Sequence, residues 1–111
     1  MIFVTGPLYA GKRDYIRRAL CLSEAAFADC AVWDVQELAD AGDLTALADE
    51  LARHVVVIAT EVGGGVVPVD AAQRAHREAA GRLACLLAER ADTVIRVCCG
   101  LPQLLKGEWP C

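Results

Sequence analysis

The chain has 111 residues and a formal net charge of −4, a length that suits one domain spanning 1–111 and is short for two. Hydrophobic residues make up 56% and charged residues 23%, a balance that excludes intrinsic disorder. The acidic surplus, with a pI near 5.0, speaks against wrapping a nucleic acid duplex. Val55–Thr60, the central apolar run, is far short of the ~20 residues a bilayer span demands. No basic stretch precedes the apolar start Met1-Ile2-Phe3-Val4, so a secretory signal is not expected and the chain reads as cytoplasmic. Twenty alanines and only 5% aromatics imply a tight core of small side chains.

In chain order, Ile2–Thr5 is a strand candidate and Gly6–Gly11 a loop. The spacing predicts one helix from Lys12 to about Ala28, with Tyr15, Ile16, Ala19, Leu20, Ala26 and Phe27 on its apolar face. Ala31–Val35 reads as a second strand, ended by Asp34. Leu44, Leu47, Ala48, Leu51 and Ala52 recur at helical intervals. Val55–Thr60, β-branched and apolar, reads as a central strand covered on both faces. Gly63-Gly64-Gly65 and Pro68 mark a loop, and Asp70 with Gln73 forms a capping-box pattern for a long helix to about Ala91. Thr93–Cys99 is a further strand, stopped by Gly100 and Pro102. Strands alternating with helices predict a three-layer α/β domain with a small, mostly parallel sheet of about four strands. Its loops should gather at the carboxyl edge of the sheet, where ligands bind.

The sharpest local signal is Gly6-Pro7-Leu8-Tyr9-Ala10-Gly11-Lys12-Arg13. It follows the phosphate-loop pattern G-x-x-x-x-G-K between a strand and a helix. Gly6, Gly11, Lys12 and Arg13 are therefore candidate nucleotide-binding residues, with backbone N–H groups and the Lys12 ammonium meeting phosphates. The alternative is a plain strand–helix turn with an exposed lysine. Where a Ser or Thr hydroxyl would reach Mg²⁺, the chain has Arg13. Asp34, after an apolar strand, is a candidate Mg²⁺ ligand or a turn cap. Glu61 follows the central strand and is a candidate second carboxylate facing the phosphates. His54 and His76 read as structural or solvent-facing. The basic clusters Lys12, Arg13, Arg17, Arg18 and Arg74, Arg77, Arg82 suit a small anion, or are solvated helix faces. Six cysteines without a C-x-x-C pair are expected to be free and buried as small hydrophobes.

Three linked segments carry a more specific signal: Glu61-Val62-Gly63-Gly64-Gly65-Val66-Val67-Pro68, then Arg74-Ala75-His76-Arg77-Glu78-Ala79-Ala80-Gly81-Arg82, then Gly100-Leu101-Pro102-Gln103-Leu104-Leu105-Lys106. In order and spacing they resemble the bifunctional adenosylcobinamide kinase/adenosylcobinamide-phosphate guanylyltransferase family of cobalamin biosynthesis. The resemblance implies a phosphate-loop NTPase-like fold, ATP or GTP with Mg²⁺ as cofactors, a corrinoid substrate and a homo-oligomer, specifically a trimer. It assigns Lys12 and Glu61 catalytic roles and gives Asp34 the metal. The departures are Arg13, Pro7 and Thr60 at positions where the family has Ser, Gly and Asn, Cys85 in place of the Gln of its G-R-x-N-Q, and a missing segment ahead of Ala31 that carries the family's guanylyl-accepting histidine. The implied function is a nucleotide-dependent transferase without its guanylyltransferase half; the alternative is a non-catalytic nucleotide- or corrinoid-binding relative.

Overall fold

The structure, a computed structural model, describes residues 1–62 and 70–110. The Gly63–Gly65 and Pro68 loop and Cys111 lie outside the described residues. The elements are β1 (Ile2–Gly6), α1 (Lys12–Ala19), α2 (Glu24–Cys30), β2 (Ala31–Val32), a 3₁₀ helix (Val35–Ala41), α3 (Leu44–Leu51), β3 (Val56–Thr60), α4 (Ala71–Arg90), β4 (Thr93–Cys98) and β5 (Leu101–Lys106). The five strands lie in the order β2-β3-β1-β4-β5. All neighbouring pairs are parallel except β4 with β5.

Register explains the two cores. Phe3 lies opposite Val57 on one side and Val94 on the other, while Val4 lies opposite Ile58 and Ile95. Successive side chains leave a strand on opposite faces, so the two rows feed two layers. Phe3, Val57 and Val94 pack with Ala48, Leu83 and Leu87 under α3 and α4. Val4, Ile58 and Ile95 pack with Ile16 and Phe27 under α1 and α2. The result is three layers, helices on both faces of a mostly parallel sheet.

The structure corrects the expected elements in three places. The single helix from Lys12 is two. Cys21 enters the left-handed region at φ 55, its N–H reaches the Arg18 carbonyl, and the Leu22 N–H reaches the Arg17 carbonyl, the paired bonds of a Schellman termination. Ser23 then caps α2 by accepting from the Ala26 N–H at 3.2 Å. Second, β2 stops at Val32, so Trp33 and Asp34 lie past the strand. Third, Gly100 and Pro102 do not stop the sheet. Cys99 and Gly100 both carry positive φ (54° and 74°) between paired Cys98 and Leu101, the backbone of a two-residue hairpin turn. Pro102 is accommodated because β5 is an edge strand.

The long helix forms as expected with Asp70 at its N-cap, but the Asp70 side chain accepts from the Ala72 N–H at 2.7 Å and not from Gln73, the partner that the capping-box pattern names. The cysteines depart from it. Cys21, Cys85, Cys98 and Cys99 are free and exposed, and Cys30 is free and half-buried. No described helix is long and apolar enough to cross a membrane.

Candidate functional site

The loop from Pro7 to Gly11 leaves the carboxyl end of β1 and turns directly into α1. Gly6 makes this possible. Its φ is +150°, and a β-carbon there would sit 2.1 Å from the Val97 carbonyl oxygen. Gly11 takes φ +85° at the N-cap of α1, and its carbonyl accepts the Tyr15 N–H at 3.0 Å. The β4–β5 turn braces the loop from behind, with the Gly100 N–H on the Ala10 carbonyl at 2.8 Å.

Lys12 is the first residue of α1 and only 8% exposed. Its Nζ donates to the Pro7 carbonyl at 2.7 Å. Burial pushes its ammonium below the usual lysine range, partly offset by the fields of Asp34 and Glu61. Lys12 and Asp34 line one cavity of about 310 Å³, whose walls include Gly11, Arg13, Trp33 and Thr60. Asp34 itself is held in the left-handed region at φ 55, which aspartate tolerates better than most side chains, and its carbonyl accepts the Glu37 N–H as the 3₁₀ helix begins. The loop lysine and the aspartate two residues past β2 thus share one cavity.

Glu61 stands at the same sheet edge, its N–H on the Gly6 carbonyl at 2.8 Å. Its carboxylate is engaged by Arg96, Nε to Oε1 at 2.5 Å and Nη2 to Oε2 at 3.0 Å. This bidentate pairing holds the Arg96 guanidinium above its ordinary pKa. Arg13 forms no ion pair with Asp34 among the described residues; its Cζ lies 5.3 Å over the Trp33 ring. His76 pairs with Asp40 at 2.9 Å, away from the cavity, and His54 is exposed at the end of α3. Among the described residues no three His, Cys, Asp or Glu side chains gather to hold a metal ion.

Three residues that shape the site gave no sequence signal. Gln36 is buried, and its Oε1 accepts the Thr60 N–H at 2.9 Å, tying the 3₁₀ helix to the end of β3. Arg96 sits within an otherwise apolar strand, a charge whose partner no local pattern names. Trp33 reads as a strand residue until β2 is seen to end before it.

The profile of the family described as cobinamide kinase / cobinamide phosphate guanyltransferase matches residues 19–105. The chain belongs to that family. Its matched part carries Asp34, Glu61 and the segment from Gly100 to Leu105, and begins after the Gly6–Arg13 loop. Over 59 residues the chain is 39% identical to the bifunctional adenosylcobalamin biosynthesis protein CobP of Pseudomonas aeruginosa, a stretch covering 53% of this chain and 34% of that protein. The matched stretch is thus about a third of the relative's length. The cobinamide kinase/guanyltransferase fold is compatible with the mixed, mostly parallel five-stranded sheet seen here.

Proposed function

We propose that this chain binds a nucleoside triphosphate, ATP or GTP, at Gly6–Arg13 and serves the kinase half of the cobinamide reaction. The phosphoryl group would pass to the hydroxyl of adenosylcobinamide. The observation that carries this reading is the convergence of Lys12 and Asp34 on one cavity beneath a loop that opens α1. Phosphoryl transfer asks a protein mainly for positioning and electrostatic stabilisation. Lys12 supplies a partly desolvated cation, and its bond to Pro7 is one that a phosphate oxygen would take over.

Mg²⁺ fits this site in a restricted way. The ion is commonly held by one or two carboxylates with phosphates and water completing its shell. Asp34 and Asp14 are the carboxylates lining the cavity, Asp34 being the one whose field acts on Lys12, and Thr60 lines the same space with a hydroxyl. When bound, the ion would neutralise charge between the outer phosphates. Arg13 occupies the position of the usual liganding hydroxyl, so dependence on Mg²⁺ should be weak. Glu61 was expected to act in catalysis. Gripped by Arg96, it enters this reading as a carboxylate at the margin of the site, leaving Asp34 as the metal ligand.

The guanylyltransferase half is proposed to be lost, since no histidine lies between Lys12 and Asp34. Incubation with labelled GTP should leave no acid-labile histidine adduct on the protein. A second reading, a non-catalytic nucleotide- or corrinoid-binding relative, is favoured by Arg13 alone. Calorimetry with ATP, GTP and GDP, with and without Mg²⁺, followed by a phosphorylation assay on adenosylcobinamide, separates the two. Binding with turnover supports the kinase. Binding without turnover supports the second reading, and no binding overturns both for nucleotides. By family, the working assembly is proposed to be a homo-oligomer, a trimer, and the compartment the cytoplasm.

A further inference from the structure

The residue after the loop lysine is not disposed as a surface arginine at the start of a helix usually is. The Arg13 guanidinium lies over the Trp33 indole, 5.3 Å from its centroid. The indole is itself stacked on Phe27, with centroids 5.6 Å apart and planes within 11°. Phe27 is buried in the core beneath α1 and α2. An unbroken stack therefore runs from the core through Phe27 and Trp33 to a cation at the cavity wall. Arg13 and Trp33 both line the 310 Å³ cavity shared with Lys12 and Asp34, and both line a neighbouring one of about 270 Å³. With Asp14, which also lines both, the pair is the partition between the two.

We propose that Trp33 is a positioning residue of the phosphate site: anchored on Phe27, it holds the Arg13 guanidinium at the cavity wall, where Arg13 binds the outer phosphates of a nucleoside triphosphate. The inference rests on Gly6–Arg13 being the nucleotide site, and it deepens that reading by naming its second cation. A guanidinium stacked on a ring spends its flat face on the ring and keeps its in-plane N–H groups free. Those groups are the ones that meet phosphate oxygens pairwise. The stack also removes the competitor expected from charge alone, because Arg13 held on Trp33 makes no ion pair with Asp34. Asp34 then stays available in the same cavity, and the site offers the polyphosphate two cations, Lys12 and Arg13.

The test uses the whole chain. Trp33 and Trp109 are the only tryptophans, so in a Trp109→Phe background the emission reports on Trp33 alone. Titration with ATP should change that emission; AMP, which lacks the outer phosphates, should leave it nearly unchanged. By calorimetry, Arg13→Leu and Trp33→Leu should each weaken ATP about tenfold, the scale of a lost charge-assisted contact. Neither should alter AMP affinity. The double variant should lose little more than either single one, as expected for residues acting through one contact. Trp33→Phe, which keeps a ring beneath the cation, should recover most of the loss. Should Trp33→Leu fail to fold, Arg13→Leu and Trp33→Phe carry the test. If Lys12→Ala weakens ATP while Arg13→Leu and the folded Trp33 variants match the parent, this inference falls and the nucleotide site stands. If the parent binds no nucleotide, both fall together.

Discussion

Lys12 Nζ donates to the Pro7 carbonyl across the loop that separates them, so the cation facing the cavity is also the clasp of the loop around it. A ligand phosphate must replace that carbonyl. Charge-assisted bonds to phosphate are worth about 1.5–3 kcal/mol, so Lys12→Ala should weaken nucleotide binding about tenfold or more, read by calorimetry. Parent-like affinity in the variant would remove the basis for the site.

The same lysine gives stability a pH dependence of known sign. Its folded-state pKa is lowered by burial, so the unfolded chain holds that proton more tightly and stability rises with pH through the interval between the lowered value and the ordinary 10.5. Below that interval the desolvation cost is present in full. Lys12→Met should therefore flatten the slope there. It should also stabilise the protein at neutral pH by on the order of 1 kcal/mol, as relieving a strained functional site commonly does. Urea unfolding across the alkaline range checks both outcomes.

Arg13→Ser restores a hydroxyl beside the cavity and removes the guanidinium. Nucleotide affinity without Mg²⁺ should fall, and the gain on adding Mg²⁺ should exceed the parent's. A kinase activity that is fast in the parent and slowed by Arg13→Ser would show the arginine to be a working replacement for the metal-binding hydroxyl.

Gly6→Ala places a β-carbon 2.1 Å from the Val97 carbonyl oxygen at a φ of +150°. Both the clash and the backbone conformation oppose it, so the loss should reach at least about 2 kcal/mol. Because β1 must move from β4 to relieve it, nucleotide binding should fall as well. An unchanged midpoint of chemical unfolding would contradict the described packing.

Helix α4 offers a graded check. Asp70→Ala removes its cap and should cost about 1 kcal/mol. Leu83→Ala, at a side chain 1% exposed between α4 and the sheet, should cost about 3 kcal/mol. Similar losses for the two would mean that Leu83 is not packed as described.

What the sequence alone determined was local. The apolar run of Ile2–Thr5, the β-branched run to Thr60, the helical spacing of Leu44–Ala52 and the cap at Asp70 each depend on neighbours a few residues away, and each is found. The Gly11-Lys12 pair and Asp34 were legible for the same reason: strand ends and helix starts are written in the chain, and a parallel sheet brings its carboxyl ends to one edge. What only the tertiary structure decided were contacts across long loops. Arg96 reaches Glu61 from 35 positions away, Gln36 meets Thr60 from 24, and Arg13 finds the Trp33 ring only because the first turn of α1 and the residue just past β2 line the same cavity. The helix break at Cys21 and the hairpin at Cys99 belong to the same group. A left-handed residue is expected at glycine, so two cysteines holding that conformation carry no signal until the bonds around them are seen.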